Sequence, residues 1–249
     1  MSDLAVTEGA VLCAVDGAVA KVTINRERRR NALDHTAVAA LSELFERIET
    51  ADIAAIVLTG QGTAAFCAGD DIKAYRERDT ATSRTHFRRG LALMDQIADH
   101  PCLVIAAVEG YCVGGGLELA ATCDYRIAAR DATFSLPEVR KMGGSPTWGG
   151  LTRLPPLIGL GPAKRLVLLG EVWTGEEAFS HGLVDRVTES GQAADEAMLF
   201  ASEFVTDIER PVFARAKRIM HQAVGASAST MRALNLTCEE VDPFDGRPD

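Results

Sequence analysis

Short apolar runs alternate with amphipathic stretches along the first half of the chain, and each run ends in a turn-forming or glycine-rich segment. The runs at 11–15 and 18–24, joined by Asp16-Gly17, predict a β-hairpin. The runs at 53–58 and 102–108 predict two buried strands. Apolar residues recur at helical spacing in two stretches, first Val38, Leu41, Phe45 and Ile48, then Phe87, Leu91, Met94 and Ile97. This repetition of strand, loop and helix is typical of an α/β protein whose site lies in the loops at the strand ends.

The second half of the chain is predicted to be richer in helix. Its short strands are expected at 125–129, 132–135 and 183–187. Pro162 suits the first position of a helix that continues through 163–169, because a proline there loses no helical hydrogen bond. Thr174 and Glu177 have the spacing of a capping box at a second helix start. Residues 192–240 are predicted to be mostly helical.

Composition narrows the class of protein. Of the 249 residues, 47% are hydrophobic and 24% are charged, which is ordinary for a globular protein, and the net charge is −9. That charge argues against nucleic acid or an anionic membrane as the main partner. The six cysteines form no C-x-x-C pair and lie mostly in apolar runs, so we expect buried free thiols. With no basic and apolar leader, a cytoplasmic protein is expected.

A glycine-rich turn joins the predicted strand 102–108 to a predicted helix at 117–122. Gly114–Gly116 would let the backbone approach a ligand, and the helix start would point unpaired N–H groups at it. Such a turn favours developing negative charge. The alternative is that the glycines only allow close packing of helix on strand. Glu118 stands one step into this helix, where it is either a catalytic carboxylate or a first-turn residue favoured by the helix dipole.

Three further segments follow the same order as in a known family. Ala-Phe-Cys-Ala-Gly-Asp-Asp-Ile-Lys occupies 65–73, Phe-Ser-Leu-Pro-Glu occupies 134–138, and Thr-Gly-Glu-Glu-Ala-Phe-Ser-His-Gly-Leu-Val-Asp occupies 174–185. With the glycine turn, they make residues 10–225 resemble the enoyl-CoA hydratase/isomerase, or crotonase, family. The resemblance covers most of the chain, and its specificity lies in the combination of segments.

The resemblance implies a crotonase-like α/β fold, a spiral of ββα units. Residues 1–190 would form the core that carries the acyl-CoA site, and 191–249 a helical C-terminal region within the same domain or a small appendage. Subunits would assemble as homotrimers or as hexamers built from two trimers. The resemblance also implies that coenzyme A enters as part of the substrate and that no further cofactor is used.

Hydration of an enoyl thioester needs donors for the thioester oxygen and carboxyl groups for proton transfer. The resemblance assigns the donors to the backbone N–H groups of Ala68 and Gly115. It assigns the carboxyl groups to Glu118, which would deprotonate the water, and Glu138, which would deliver the proton to the α carbon. Taken alone, Glu138 could instead be a solvated loop residue. Two glutamates favour hydration or dehydration over other reactions of the family.

Residues around these positions are the candidates for binding the substrate and its coenzyme A. They are Arg28, Arg30, Ala32, Cys67, Asp70, Asp71, Ile72, Lys73, Gly114 and Trp148. Arginine and lysine suit the phosphates, with Arg26 and Arg29 as further candidates, although the whole basic turn could be merely solvated. Trp148 could line the acyl pocket or be plain core packing. The histidines show no metal-ligand spacing, so no metal is expected.

Three departures from the family pattern bear on the pocket. The segment between Glu138 and Gly149 is one residue longer than usual, and Asp70 replaces a small residue. The chain also ends without the last family helix and its basic, aromatic tail, from which we expect either a more open pocket or a bulkier acyl group. The predicted activity is reversible hydration of a 2-enoyl-CoA. The alternatives are an enoyl-CoA isomerase of the same fold and a catalytically silent binding protein that touches RNA.

Overall fold

The structure, a computed structural model, describes residues 4–206 and 208–225. Its strands are β1 Val11–Asp16, β2 Val19–Ile24, β3 Ala55–Gly60, β4 Ala65–Cys67, β5 Leu103–Val108, β6 Tyr111–Val113, β7 Tyr125–Ala129, β8 Thr133–Ser135, β9 Val172–Thr174 and β10 Arg186–Thr188. Its α-helices are α1 His35–Glu49, α2 Ile72–Glu77, α3 Thr80–Ala98, α4 Gly115–Ala120, α5 Gly150–Ile158, α6 Leu160–Val167, α7 Gly175–Ser180, α8 Ala193–Phe204 and α9 Arg210–Ala223.

Two sheets organise the core. The larger has the order β1-β2-β3-β5-β7-β10, and all of its pairs are parallel except the predicted hairpin β1-β2. The smaller has the order β4-β6-β8-β9. Each of β3, β5 and β7 is followed along the chain by a short strand of the smaller sheet, namely β4, β6 and β8. The loops after these short strands therefore meet at one edge, as expected for a site built at strand ends.

The first two predicted helices show where periodicity is a sufficient guide. In α1, Asp34 accepts a hydrogen bond from Ala37 N at 2.9 Å, and all the predicted apolar positions are buried. In α3, the prediction of Leu91 as a core residue is wrong, because its side chain is 39% exposed. The buried stripe of α3 instead consists of His86, Gly90, Leu93, Met94 and Ile97. These positions are spaced three and four apart, and Leu91 lies off that stripe.

The second half differs from its prediction mainly in boundaries. The helix expected to begin at Pro162 begins two residues earlier, at Leu160, and the last strand is Arg186–Thr188. The capping box at Thr174 and Glu177 is confirmed by hydrogen bonds in both directions. The helical prediction for 192–240 holds for α8 and α9, and the part beyond residue 225 lies outside the described residues. The expectation of a more open pocket, which rests on the C-terminal residues, falls on that part of the chain too.

Two buried polar contacts attach the last described helices to the sheets. The carboxylate of Glu109 accepts hydrogen bonds from Gly191 N at 3.0 Å and Ala193 N at 2.8 Å, which satisfies donors at the start of α8. Lys217 of α9 donates to Asp124 Oδ2 at 2.7 Å, and this carboxylate also accepts from Val104 N. Asp124 therefore has a structural role.

The cysteines at 13, 67, 102, 112 and 123 are buried and free, as expected, and Cys238 lies outside the described residues. Over residues 4–206 and 208–225, none of the helices has the length and apolar character needed to cross a membrane.

Candidate active site

A cavity of about 260 Å³ lies where the loops after β4, β6 and β8 meet. Its wall includes residues 68–70, the turn 113–115, and both predicted catalytic glutamates, Glu118 and Glu138. Apolar side chains complete the wall, and three of them, Ile72, Tyr75 and Met142, are 51%, 47% and 56% exposed and so form its rim. The structure thus brings the loop of 65–73, the glycine turn and the segment after β8 to one concave site.

The glycine turn serves both packing and approach. Gly114 has φ 57°, a conformation that other residues rarely adopt. A Cβ at Gly116 would lie 1.9 Å from the carbonyl oxygen of Cys67, so α4 could not pack on β4 with any larger residue there. Gly115 lies against the ring of Trp148 and against Gly69. The glycine triplet therefore allows close packing of the helix on the strand. The backbone of the same triplet also borders the cavity.

The expected donor Ala68 is not available. Its N–H donates to the carbonyl oxygen of Arg30 at 3.0 Å, so that group is already engaged by another loop. In the described part of the chain no acceptor faces the N–H of Asp70, two residues further along the same cavity wall. Nor does any described group accept from Gly115 N, which lies at the start of α4. Asp70 and Gly115 thus each offer an unengaged N–H group at the cavity, whereas that of Ala68 is engaged, which corrects the prediction of Ala68.

Glu118 is held by backbone donors from a distant loop. Its side chain is 2% exposed, and Oε1 accepts hydrogen bonds from Trp148 N and Gly150 N, both at 2.8 Å. Burial raises the pKa of Glu118. These N–H groups and the nearby Arg153 guanidinium act in the opposite direction, but the pKa remains above its ordinary value. A first-turn glutamate favoured only by the helix dipole would need none of these contacts. Oε2 has no hydrogen bond of normal geometry among the described residues, although the N–H of Thr147 is near enough to the carboxylate to lower its pKa.

Glu138 has a different environment. It begins a π-helical turn, Glu138–Met142, directly after β8, and its Oε2 is buried without a hydrogen-bond partner among the described residues. Burial, and to a lesser degree the negative charge of Glu118, raises the pKa of Glu138 to about 7. The alternative of a solvated loop residue is therefore wrong. At neutral pH this carboxyl group can hold a proton, and the N–H donors of Glu118 offset part of the burial that raises the pKa of Glu118.

The remaining predicted binding residues divide into two groups. Asp70, Ile72, Gly114 and Trp148 line the cavity, whereas Arg28, Arg30, Ala32, Cys67, Asp71 and Lys73 do not. Arg28, Arg30 and Lys73 are exposed. The carboxylate of Asp71 caps α2 and pairs with Arg26, whose guanidinium also donates to the carbonyl of Ala32. Cys67 is buried behind the cavity, and burial raises the pKa of its thiol to about 12.

Trp148 belongs to both the core and the cavity wall. It is 1% exposed, and its ring meets the ring of His86 edge-on at a centroid distance of 5.6 Å. His86, in turn, lies 3.0 Å from Asp70 Oδ1 through Nε2, and Arg78 makes a bidentate ion pair with the same carboxylate. Sequence reasoning did not single out Arg78 or His86. The one available signal was that an acidic residue at position 70 needs a partner.

Known proteins are similar to this chain in sequence over most of its length. A sequence model described as Enoyl-CoA hydratase/isomerase matches residues 14–241. The short-chain-enoyl-CoA hydratase of Clostridium acetobutylicum is 36% identical over 198 residues, which cover 79% of this chain and 76% of that protein. The (E)-benzylidenesuccinyl-CoA hydratase of Thauera aromatica is 38% identical over 197 residues, again 79% and 76% of the two chains.

Solved structures are similar over nearly the whole chain. An enoyl-CoA hydratase from Bacillus anthracis superposes with a TM-score of 0.88 at 30% identity, covering 93% of this chain and 90% of that one. Pseudomonas aeruginosa DspI superposes with a TM-score of 0.89 at 34% identity, covering 96% of this chain and 90% of that one.

Proposed function

The chain belongs to the enoyl-CoA hydratase/isomerase family and has its crotonase-like fold, and on this premise we propose that it hydrates a 2-enoyl-CoA reversibly to a 3-hydroxyacyl-CoA. One observation carries the proposal. Glu118 and Glu138 line the same cavity, and burial raises the pKa of both, that of Glu138 to about 7. Glu118 Oε1 accepts two backbone hydrogen bonds that favour its anion, whereas Glu138 Oε2 has no partner among the described residues. A site that must remove a proton from water and give one to carbon needs such a pair.

The proposed reaction begins with water beside the free oxygen of Glu118. Glu118 Oε2 takes a proton from the water, whose oxygen forms a bond to the β carbon. The electron pair of the double bond moves to the thioester, giving an enolate whose oxygen accepts from the N–H groups of Asp70 and Gly115. Each such donor is typically worth about 3 kcal/mol in the transition state. Glu138 then gives its proton to the α carbon.

Turnover requires the two carboxyl groups to exchange a proton. After one addition Glu118 carries the proton from water and Glu138 is ionised, so a proton must pass from one to the other before the next cycle. The net change is one water added to one double bond. Two carboxyl groups on the wall of one cavity support addition of both parts of water to the same side of the alkene.

The acyl group is proposed from the cavity wall. Tyr75, Phe87 and Met142 are large and apolar, and they suit an unsaturated hydrocarbon chain or an aromatic ring. The names of the two relatives above include a short-chain enoyl-CoA and the aromatic (E)-benzylidenesuccinyl-CoA. We therefore place crotonyl-CoA and cinnamoyl-CoA first among substrates to test. The exposed cations Arg28, Arg30 and Lys73 are proposed to meet the phosphates of coenzyme A.

The deciding experiment follows the loss of enoyl absorbance with each substrate for the wild-type protein, Glu118→Gln and Glu138→Gln. Glu43→Gln is the matched control, because Glu43 is an exposed glutamate of α1 away from the cavity. We expect turnover by the wild type and the control, and losses of at least about a hundredfold in both site variants.

Other outcomes would contradict hydration in recognisable ways. An isomerase would move a double bond of a 3-enoyl-CoA and would tolerate the loss of one glutamate. A silent binding protein would turn over neither thioester. Binding of RNA by such a protein would weaken steeply with added salt.

A further inference from the structure

The loop residue whose N–H borders the cavity also carries a negative charge. Asp70 supplies one of the free backbone donors, and its own carboxylate is held beside the same cavity wall. An enolate oxygen bound by that N–H would be repelled by a carboxylate on the same residue. The site therefore contains a conflict between a backbone donor and the side chain attached to it.

We propose that Arg78 is a positioning residue that resolves this conflict by neutralising the Asp70 carboxylate, which lets the Asp70 N–H stabilise negative charge on a thioester oxygen. The inference rests on the proposed function, because it assumes an enolate in this cavity. It adds a requirement that the reaction alone does not impose. The charge of Arg78 should matter as much as its shape.

The contacts suit such a role. Arg78 Nη1 lies 3.1 Å from Asp70 Oδ1 and 3.0 Å from Oδ2, and Nη2 lies 3.1 Å from Oδ1. The side chains of Arg78 and Asp70 are 7% and 22% exposed, so water and salt screen this pair less than a surface ion pair. Nε2 of His86, on α3, occupies a further site on Oδ1 at 3.0 Å. The carboxylate is thus tied to the segment after α2 and to α3.

If Arg78 acts through its charge, its substitution should have different effects than if it only braces the loop. If Arg78 only braces the loop, removing either partner of the pair should weaken oxyanion binding, and removing both should be no better. If its charge is what matters, Arg78→Met leaves an unpaired carboxylate that opposes the enolate. Asp70→Asn should then have the opposite effect on enolate formation, because it leaves Arg78 as an unpaired cation. The double variant restores a neutral pair of similar size and should recover.

The test uses acetoacetyl-CoA, a thioester whose enolate has its own ultraviolet absorbance and which needs no addition of water. Titration with pH gives the ionisation constant of the bound thioester for wild type, Arg78→Met, Asp70→Asn, the double variant and Arg78→Lys. Arg165→Met is the matched control, because Arg165 makes a similar two-oxygen pair with Glu171 outside the cavity. Circular dichroism checks that each variant is folded.

We expect Arg78→Met to reduce enolate formation at least about tenfold, and Asp70→Asn to increase it, because the Arg78 charge is then left unpaired. The double variant and Arg78→Lys should fall within about threefold of wild type, as should the control. Equal losses in both single variants, with no recovery in the double variant, would overturn the inference. So would the absence of enolate absorbance from the wild-type complex. If Arg78→Met does not fold, Asp70→Asn and the double variant still separate the two accounts.

The failure of this inference is distinguishable from failure of the proposed function. Enolate stabilisation with the expected charge asymmetry, but no water addition to any enoyl-CoA, would remove only the hydratase proposal. Water addition without the asymmetry would remove only the role of Arg78.

Discussion

Glu138 combines a buried oxygen without a partner and a neighbouring carboxylate, and both features favour its protonated form. The proposed hydration starts with Glu118 ionised and Glu138 protonated, and dehydration starts with the proton on the other residue. Both directions therefore use a pair that holds one proton in total. Because the pair titrates as a unit, the limits of activity belong to the pair and not to either residue.

We expect kcat/KM to be bell-shaped in pH and to be so in both directions. The pKa of Glu138 is raised to about 7, so activity should fall as pH rises through about 7, where the shared proton is lost. It should fall again at low pH, where Glu118 gains a proton as well. Initial rates with crotonyl-CoA and with 3-hydroxybutyryl-CoA across the pH range measure this. Glu43→Gln should keep the profile, and activity that still rises above pH 8 would exclude Glu138 as the proton donor.

Side chains of the site could be predicted from the sequence, but its backbone donors could not. Glu118 and Glu138 could be selected as candidates from the segments that contain them. For Glu118, few purely structural roles suit a glutamate directly after a glycine turn. The choice between Ala68 and Asp70 as donor could not be made in this way. It depends on the carbonyl of Arg30, which comes from a loop far away along the chain and occupies the Ala68 N–H. The residue type at a position does not indicate whether its backbone N–H is free. That depends on tertiary contacts, which the sequence does not show.

At the scale of elements, local signals predicted helix starts better than they predicted packing. The cap at Thr174 was predictable because a capping box involves residues three apart in the sequence. Leu91 was wrongly assigned to the buried face of α3. More than one set of positions at helical spacing could form that face, and the choice depends on where the helix begins and on which element packs against it. The short strands β4, β6 and β9, of three residues each, were not predicted.

The contact between α4 and β4 gives a sharp test at this scale. Gly116→Ala would put a Cβ 1.9 Å from the Cys67 carbonyl oxygen, a backbone atom that cannot move aside without shifting β4. We expect a loss of about 3 kcal/mol in the free energy of unfolding, together with lower activity, because α4 also carries Glu118. Urea unfolding measures the first quantity.

Gly161→Ala provides the matched control for that substitution. Gly161 lies in the first turn of α6, and a Cβ there would meet nothing within 4 Å. The variant should be as stable as wild type or more stable by up to about 1 kcal/mol, because alanine restricts the unfolded chain. Comparable destabilisation by both substitutions would mean that the clash at Gly116 is not the cause.

At the scale of the whole molecule, the α/β class, the order of segments and the site at strand ends all followed from the sequence, because each depends on patterns repeated along the chain. Assembly did not, since a monomer's pattern does not distinguish exposed apolar residues from buried ones. The structure provides that distinction. Large apolar side chains on consecutive segments from α6 to α7 are more than half exposed, namely Leu160, Leu168, Leu169, Val172 and Phe179.

We therefore expect the chain to associate, and the predicted trimer would have a mass of about 80 kDa, three times 26.6 kDa, or twice that as a hexamer. An apolar surface on adjoining segments favours burial against another subunit. Light scattering coupled to size-exclusion chromatography measures the mass. Leu169→Arg with Phe179→Arg should lower it by placing charges in the contact, whereas Leu91→Arg, at an exposed leucine of α3, should not. A wild-type mass of one subunit would contradict the assembly, and the apolar residues from α6 to α7 would then need another partner.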